Sequence, residues 1–233
     1  MFAFKEFELK LIHYFEKYKI AFDERIIRKF YMFANYLTSE NEKYNLTAIK
    51  TLDGIIIKHF VDSAVIFNYA DLRSTVIDIG AGAGFPSVPI AVCRGDLKIS
   101  CVDSSAKKIN FIKNAADILD LKNLAFFCGR TEELNLRDYD FAVSRAVARL
   151  NILCELAAPV LKTGGFFCAY KAAGAGAELD ECKKAFKILG LELAGFFKFE
   201  LESENRALII IKKIKETPEK YPRNFSQITR NPL

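Results

Sequence analysis

The chain has 233 residues, of which 51% are hydrophobic and 27% charged, so it can bury a full core and is not disordered. No apolar run approaches the ~18 residues of a membrane-spanning helix. The N-terminus is amphipathic and carries acidic residues, unlike a secretory signal. We therefore expect a cytoplasmic protein that does not associate with membranes, built as one large domain or one domain plus a small addition.

The first 70 residues form a helical segment that we expect to pack on the core of the molecule. Apolar residues recur at helical spacing, and Asp23 is placed to cap the second helix. Residues 43–47 resemble a loop, and a third helix is predicted over residues 52–69.

From Ser74 the pattern changes to short apolar runs that alternate with longer amphipathic ones. Strands are predicted at Val76–Gly80, Ile99–Asp103, Leu124–Gly129, Phe141–Ser144, Gly165–Tyr170, Leu193–Phe199 and Ala207–Lys212. Helices are predicted between them at Pro86–Cys93, Ala106–Leu119, Leu150–Leu161 and Ala177–Leu189. This alternation favours an α/β fold with a mostly parallel, seven-stranded sheet and helices on both faces.

The last two strands have only a few residues between them, around Glu202–Asn205, and must therefore form an antiparallel hairpin. A parallel sheet that ends in such a hairpin is typical of Rossmann-like class I methyltransferases. We assign residues 71–214 to this domain.

Residues 215–233 are predicted to be a basic C-terminal tail. The net charge of the chain is +5, and from Lys212 onward six basic residues stand against two acidic ones, which gives 6 − 2 = +4. The rest of the chain therefore carries only +1. A basic tail on a near-neutral body suggests a polyanionic partner, and a merely solubilising tail is the alternative.

The cysteines show neither metal-ligand nor disulfide spacing. We expect no metal site and six buried, reduced thiols, at Cys93, Cys101, Cys128, Cys154, Cys168 and Cys182.

The most informative stretch is Val76–Pro86, where a strand runs into three glycines at alternate positions and then a proline. Glycine permits positive φ and lets a ligand approach without a Cβ in the way. Pro86 suits a first helical position. Because open α/β sheets bind ligands beyond the carboxyl ends of their strands, we expect a nucleoside cofactor across this turn.

Spacing and charge separate two candidate cofactors. Asp103, at the end of the second strand, could accept hydrogen bonds from both ribose hydroxyls of either one. The dinucleotide fingerprint is G-x-G-x-x-G, whereas Gly80, Gly82 and Gly84 form G-x-G-x-G. Asp78 would repel a pyrophosphate and suits the ammonium end of S-adenosylmethionine. These features favour S-adenosylmethionine over NAD, and a non-catalytic Rossmann-like domain stays open.

Several strings spread over nearly the whole chain resemble one family, the bacterial 16S ribosomal RNA guanine-N7 methyltransferases, first named glucose-inhibited division protein B. The matching strings are Tyr44–Thr47, His59–Ser63, Asp78–Pro86, Val102–Ser104 with Lys107 and Lys108, Arg130–Glu132, Ser144–Ala148, Tyr170–Lys171, Tyr221–Arg223 and Asn231–Leu233. Ser87 departs from the family, in which many members have glycine.

The resemblance implies roles for individual residues. Gly80 and Phe85 would contact S-adenosylmethionine, Thr131 and Glu132 would flank its adenine, and Arg145 would lie between cofactor and RNA. With the glycine turn and the two acids, the predicted cofactor set is Asp78, Gly80, Gly82, Gly84, Phe85, Asp103, Thr131, Glu132 and Arg145. The basic residues expected on the RNA side are Arg130, Arg145, Lys171 and Arg206, with Lys107 as a weaker member.

Each role has a plainer alternative. Phe85 could belong to the core, Glu132 could cap the segment after it, and Lys171 and Arg206 could be surface charges. For His59 and Asp62 we favour a local hydrogen-bonded pair over a catalytic role.

The implied reaction, methylation of guanine N7, needs no general base, because N7 carries a lone pair and no proton. The chain has neither a Pro-Cys nucleophile nor an Asn-Pro-Pro-Tyr string. We expect a monomer that acts on 16S rRNA or a small-subunit particle. The alternatives are a non-catalytic RNA-binding module and a methyltransferase for another RNA or a small molecule.

Overall fold

The computed structural model describes residues 2–233 and contains one seven-stranded sheet. Its strand order is β3-β2-β1-β4-β5-β7-β6. The strands are β1 (Thr75–Ile79), β2 (Lys98–Asp103), β3 (Leu124–Cys128), β4 (Tyr139–Arg145), β5 (Leu161–Lys171), β6 (Leu191–Leu201) and β7 (Glu204–Lys213). The first five pair in parallel, and β7 lies antiparallel between β5 and β6. The predicted α/β sheet with its terminal hairpin is confirmed.

Ten α-helical segments are found in residues 2–233. Those before the sheet are α1 (Phe4–Lys17), α2 (Glu24–Tyr44), α3 (Leu52–Ile55) and α4 (Asp62–Ala64). The others are α5 (Ser87–Cys93), α6 (Ala106–Ile118), α7 (Leu150–Ala157), α8 (Ala175–Glu181), α9 (Lys183–Leu189) and α10 (Phe225–Arg230). The parallel strands are joined through helices such as α5 and α6, and helices cover both faces of the sheet. The sequences of these strands therefore read as apolar runs.

Three predicted helices differ from the structure. Pro86 precedes α5 instead of occupying its first position. The helix predicted to reach Leu161 ends in a short 3₁₀ turn, Ala158–Val160, because Pro159 lacks the N–H that a longer helix would need. The helix predicted over Ala177–Leu189 is divided at Cys182 into α8 and α9.

The N-terminal helices share a core with the sheet. Asp23 caps α2 as predicted, with its carboxylate accepting from the Ile26 N–H at 2.7 Å. Phe7, Phe30 and Phe60 are fully buried in the same cluster as Val76 of β1. Residue 70 therefore separates two kinds of secondary structure but not two cores.

The predicted third helix forms a continuous but irregular helical segment. Between α3 and α4 lies a π-helical turn, Ile56–Val61, and a 3₁₀ turn, Val65–Asn68, follows α4. π-Turns are frequent at functional sites. This one carries Lys58 and His59, which both reach the site described below.

The C-terminal segment, residues 215–233, is packed against the body of the molecule. Tyr221 and Ile228 are buried in the second core cluster. Two basic residues counted with the tail are internal. Lys213 donates to the Leu161 carbonyl at 2.8 Å, and Arg223 pairs with the buried Glu155. The charged groups of Lys213 and Arg223 are therefore bound to partners within the protein.

All six cysteines are free, as expected, but only four of them are buried. Cys128 is exposed and Cys93 is half-buried, which corrects the prediction for these two positions. No helix within residues 2–233 combines the length and apolarity that crossing a bilayer requires.

Candidate active site

A cleft of about 450 Å³ lies at the carboxyl ends of the parallel strands β1 to β4. It is bounded by the glycine turn after β1, by Asp103 after β2, by residues 129–132 after β3 and by Arg145 at the end of β4. The sequence analysis predicted a nucleoside site at this edge of the sheet. The structure brings these four strand ends together around one cavity.

Two glycines of the turn line the cleft. Gly80 and Gly82 adopt positive φ values of 76° and 58° and line the cavity. A Cβ on Gly80 would clash with the Val147 side chain. A Cβ on Gly82 would meet nothing nearer than the Gly80 carbonyl oxygen at 3.9 Å, because it would point into the open cleft. The prediction that this turn binds a cofactor therefore depends most directly on Gly82.

Gly84 was predicted to bind the cofactor, but the structure places it outside the cleft lining. Its φ is 84°, and a Cβ there would clash with Val88 and lie 3.5 Å from Ile112. The third glycine is thus required for the turn and for close helix packing.

Asp78 also lies outside the cleft lining, beneath the turn, and is fully buried. Its Oδ2 accepts from the Ser87 N–H at 3.1 Å, which fixes the start of α5. Its Oδ1 has no hydrogen-bond partner among residues 2–233. Burial raises the pKa of this carboxyl to about 7. In this structure Asp78 supports the turn, and contact with a cofactor ammonium group stays a prediction.

Asp103 connects the turn to β2. Its Oδ2 accepts from the Gly82 N–H and its Oδ1 from the Ser105 N–H, both at 2.9 Å. The Lys108 ammonium lies 3.7 Å from Oδ2. Each carboxylate oxygen can accept more than one hydrogen bond, so Asp103 can still receive the hydroxyls of a ribose.

The segment after β3 supplies an unsatisfied acceptor. Thr131 is buried, and Glu132 has a buried Oε1 with no hydrogen-bond partner among residues 2–233. Both residues line the cleft. A buried carboxylate oxygen without a donor is costly unless a ligand supplies one. A base with an exocyclic amine fits this position.

Arg145 is the centre of a polar cluster at the other end of the cleft. Its guanidinium donates to Asp62 Oδ2 and to the Lys58 carbonyl, both at 2.9 Å. It also lies over the Phe85 ring, with 5.1 Å between Cζ and the ring centroid. Phe85 is buried, as the core alternative expects, and it also lines the cleft, while its contact with the cofactor stays a prediction.

His59 bonds to Arg145 and not to Asp62, which corrects the expected local pair. Its Nδ1 lies 3.3 Å from Arg145 Nη2 and its Nε2 lies 2.9 Å from Thr47 Oγ1. Because arginine can only donate, Nδ1 accepts and Nε2–H donates to Thr47. The ring stacks on Phe85 at 4.2 Å. Burial, reinforced by the Arg145 charge, lowers the pKa of His59 to about 3.

We expect the His59→Gln variant to lose less stability in acid than the wild type. In the unfolded chain His59 takes up a proton near pH 6.5, whereas in the folded protein it stays neutral down to about pH 3. Its contribution to the free energy of unfolding is therefore lost as pH falls between these values, by up to about 2 kcal/mol from pH 6.5 to 5. Urea unfolding at both pH values measures this difference.

The control is His13→Gln, since His13 is exposed and is the only other histidine. Other titrating groups contribute equally to the pH dependence of the free energy of unfolding in wild type and variant, so their contributions cancel when the two are compared. If His59→Gln shows the wild-type pH dependence, the assignment of a neutral, buried His59 is wrong.

The four residues predicted for the RNA side do not form one open basic patch. Arg206 contacts Asp62 Oδ1 at 3.5 Å and pairs with Glu204. Lys171 is half-buried with 9% of its side chain exposed, and its ammonium donates to Glu178 at 2.8 Å and to the Ala148 carbonyl. The surface-charge alternative is therefore wrong for Lys171. Arg130 is exposed at the rim of the cleft.

A second cavity of about 300 Å³ adjoins the cleft. The two share His59, Arg145 and Ala146. Arg206, Lys171 and Phe199 line the second cavity as well. Three of the four predicted RNA-side residues thus meet in one neighbouring pocket.

Sequence reasoning missed three residues of the site. Lys58 was not singled out, although its position next to His59 was a usable signal. Val147 covers Gly80, and Phe225 of the C-terminal segment lines the cleft. Nothing in the sequence indicated that a residue 80 positions after Arg145 returns to the same cavity.

The model of one protein family, GidB: rRNA small subunit methyltransferase G, matches residues 26–209. The chain belongs to this family. It is 42% identical over 235 residues to ribosomal RNA small subunit methyltransferase G of Lysinibacillus sphaericus, covering 97% of this chain and 99% of that one. It is 40% identical over 223 residues to the protein of the same name from Bacillus subtilis, covering 92% and 93%.

Solved structures agree with this member of the GidB family at the level of the fold. A SAM-dependent methyltransferase from Aquifex aeolicus aligns with a TM-score of 0.55 at 16% identity, covering 75% of this chain and 98% of that one. M. jannaschii TYW2, solved in complex with AdoMet, aligns at 0.53 and 14% identity, covering 63% and 72%. The class I methyltransferase fold predicted from the sequence is confirmed.

Proposed function

We propose that this protein transfers the methyl group of S-adenosylmethionine to N7 of a guanine in small-subunit rRNA. Family membership supports the reaction and the kind of RNA, since its full-length relatives are named ribosomal RNA small subunit methyltransferase G. The observation that carries the proposal is the cleft, in which Gly82, Asp103 and Glu132 offer an open backbone and two carboxylates to one nucleoside.

The residues present fit S-adenosylmethionine. Asp103 would receive the ribose hydroxyls, and the unpaired Oε1 of Glu132 would receive the adenine amine. Gly82 leaves room for the ligand because nothing fills the space where its Cβ would be. When bound, the cofactor supplies an electrophilic methyl group on a sulfonium.

The neighbouring cavity supports guanine as the acceptor. Arg206 and Lys58 line it, and Arg145 stands on its border with the cleft. Arginine pairs well with the O6 and N7 edge of guanine. An unstacked base held there would have its ring beside the cofactor cleft.

The residues between the cleft and the neighbouring cavity orient the reacting molecules. They do not act as a base that accepts a proton. Both ring nitrogens of His59 are engaged, one as acceptor from Arg145 and the other as donor to Thr47. Guanine N7 has a lone pair and no proton to lose, so attack needs no base. Catalysis would come mainly from alignment of donor and acceptor, which contributes up to ~7–11 kcal/mol in favourable cases.

We further propose that the protein works as a monomer in the cytoplasm, where ribosomal subunits are made.

The direct test of the proposed reaction is methyl transfer from radiolabelled S-adenosylmethionine to deproteinised 16S rRNA, to small-subunit particles and to 23S rRNA. We expect label on a small-subunit substrate only, recovered as 7-methylguanosine. Label on 23S rRNA alone, or on another nucleoside, would contradict the proposal.

A further inference from the structure

The C-terminal segment is fixed to the body close to the cleft. Arg223 donates to Glu155 of α7 through its backbone N–H, Nε and Nη2, at 3.0, 2.8 and 2.6 Å. Glu155 is fully buried. Since a buried carboxylate needs complete pairing, this contact defines the position of the chain around residue 223. Asn224 then caps α10 by accepting from the Gln227 N–H at 3.0 Å.

Phe225, two residues after this anchor, reaches the cleft lining. The Arg130 guanidinium lies over its ring, with 4.6 Å between Cζ and the ring centroid. Among residues 2–233 no carboxylate lies within ion-pair distance of Arg130. The two side chains therefore form an aromatic and cationic surface of the kind that stacks on nucleobases.

The strand order indicates which part of the cofactor this surface meets. Asp103 ends β2, in the middle of the cleft, where the ribose is proposed to bind. The acceptor cavity borders the cleft at Arg145 of β4, so the reactive end of the cofactor belongs on that side. The base then falls on the opposite side, after β3. Arg130, Phe225 and the unpaired Glu132 carboxylate all lie there.

We propose that Phe225, held by the C-terminal segment and paired with Arg130, forms one wall of the adenine subsite of the cofactor cleft. This inference rests on the proposed function, since it assigns a further binding residue to the same site. Glu132 would identify the base through its amine, and Phe225 would contribute affinity through its ring.

The test is calorimetric titration of S-adenosylhomocysteine into wild type, Phe225→Ala, Phe225→Tyr and Phe186→Ala. We expect Phe225→Ala to weaken affinity by about five- to 150-fold. Phe225→Tyr keeps the ring and should stay near the wild-type affinity. Phe186→Ala is the control, because Phe186 also packs on the second core cluster but lies outside the cleft. Thermal unfolding without ligand shows that each variant is folded.

Wild-type affinity in a folded Phe225→Ala variant would overturn the inference and leave the proposed function intact. Loss of rRNA binding with unchanged affinity for S-adenosylhomocysteine would overturn it too, and would assign the surface to RNA. If the wild type itself does not bind S-adenosylhomocysteine, the proposed function fails as well.

Discussion

The Gly82→Val variant is expected to lose S-adenosylmethionine binding and with it all methyl transfer. The Cβ of residue 82 would point into the open cleft, so a branched side chain would occupy the space proposed for the ligand. The same change puts a β-branched residue at a φ of 58°, which strains the backbone by roughly 1–2 kcal/mol. Binding is measured by calorimetry and folding by urea unfolding.

Gly164→Val separates the two effects. Gly164 also has positive φ, at 90°, and a Cβ there has nothing within 4 Å, but it lies in β5 away from the cleft. We expect a similar loss of stability with unchanged cofactor affinity. Full binding by a folded Gly82→Val protein would show that the turn does not contact the ligand.

Arg223→Met is expected to destabilise the protein by about 3–5 kcal/mol, because it leaves the buried carboxylate of Glu155 without its cationic partner and with the backbone N–H of residue 223 as its remaining donor in this contact. The side chain of Glu155 is 0% exposed, so its carboxylate depends on donors from the protein. Replacing both residues, Arg223→Met with Glu155→Leu, should recover most of the loss. The free energy of unfolding in urea measures each variant.

Arg230→Met is the matched control, since Arg230 is exposed in the same C-terminal segment. It should change stability by less than about 0.5 kcal/mol. An equal, small effect of both substitutions would show that the pair of Arg223 and Glu155 does not anchor the C-terminal segment.

The fold could be predicted because its signals are local. Buried parallel strands such as β1 and β2 read as apolar runs, and the short connection between β6 and β7 allows only a hairpin. Predicted strands fall within one or two residues of most observed ends, with β5 and β7 extending further. Helix ends were less accurate where a helix is divided, as at Cys182, or where a proline interrupts a regular pattern.

The part of the site that could be predicted is the part formed by a recognisable sequence motif. The glycine turn and Asp103 are close in sequence to the strand ends that position them. The partners of Arg145 were not predictable, because Asp62 lies 83 residues away and the contact depends on how the π-helical turn packs. Gly84 was assigned to the ligand because sequence cannot separate a glycine needed for packing from one needed for binding. The roles of individual residues toward cofactor and RNA stay predictions.

Part of the charge counted with the C-terminal segment is not available to a partner, for a physical reason. A count of basic residues does not show which of them find internal acceptors. Lys213 is 3% exposed and Arg223 is bound to Glu155, so neither is free to contact a polyanion. The same segment brings an aromatic residue, Phe225, into the cleft, which no charge pattern could have indicated.

Mass mapping of rRNA nucleosides from cells with and without this gene tests the central claim most directly. The account predicts that one 7-methylguanosine in the small-subunit rRNA disappears when the gene is absent and returns with the wild-type gene but not with Gly82→Val. An unchanged set of methylated nucleosides in the small-subunit rRNA, or the loss of a methyl group from a different atom, would contradict it.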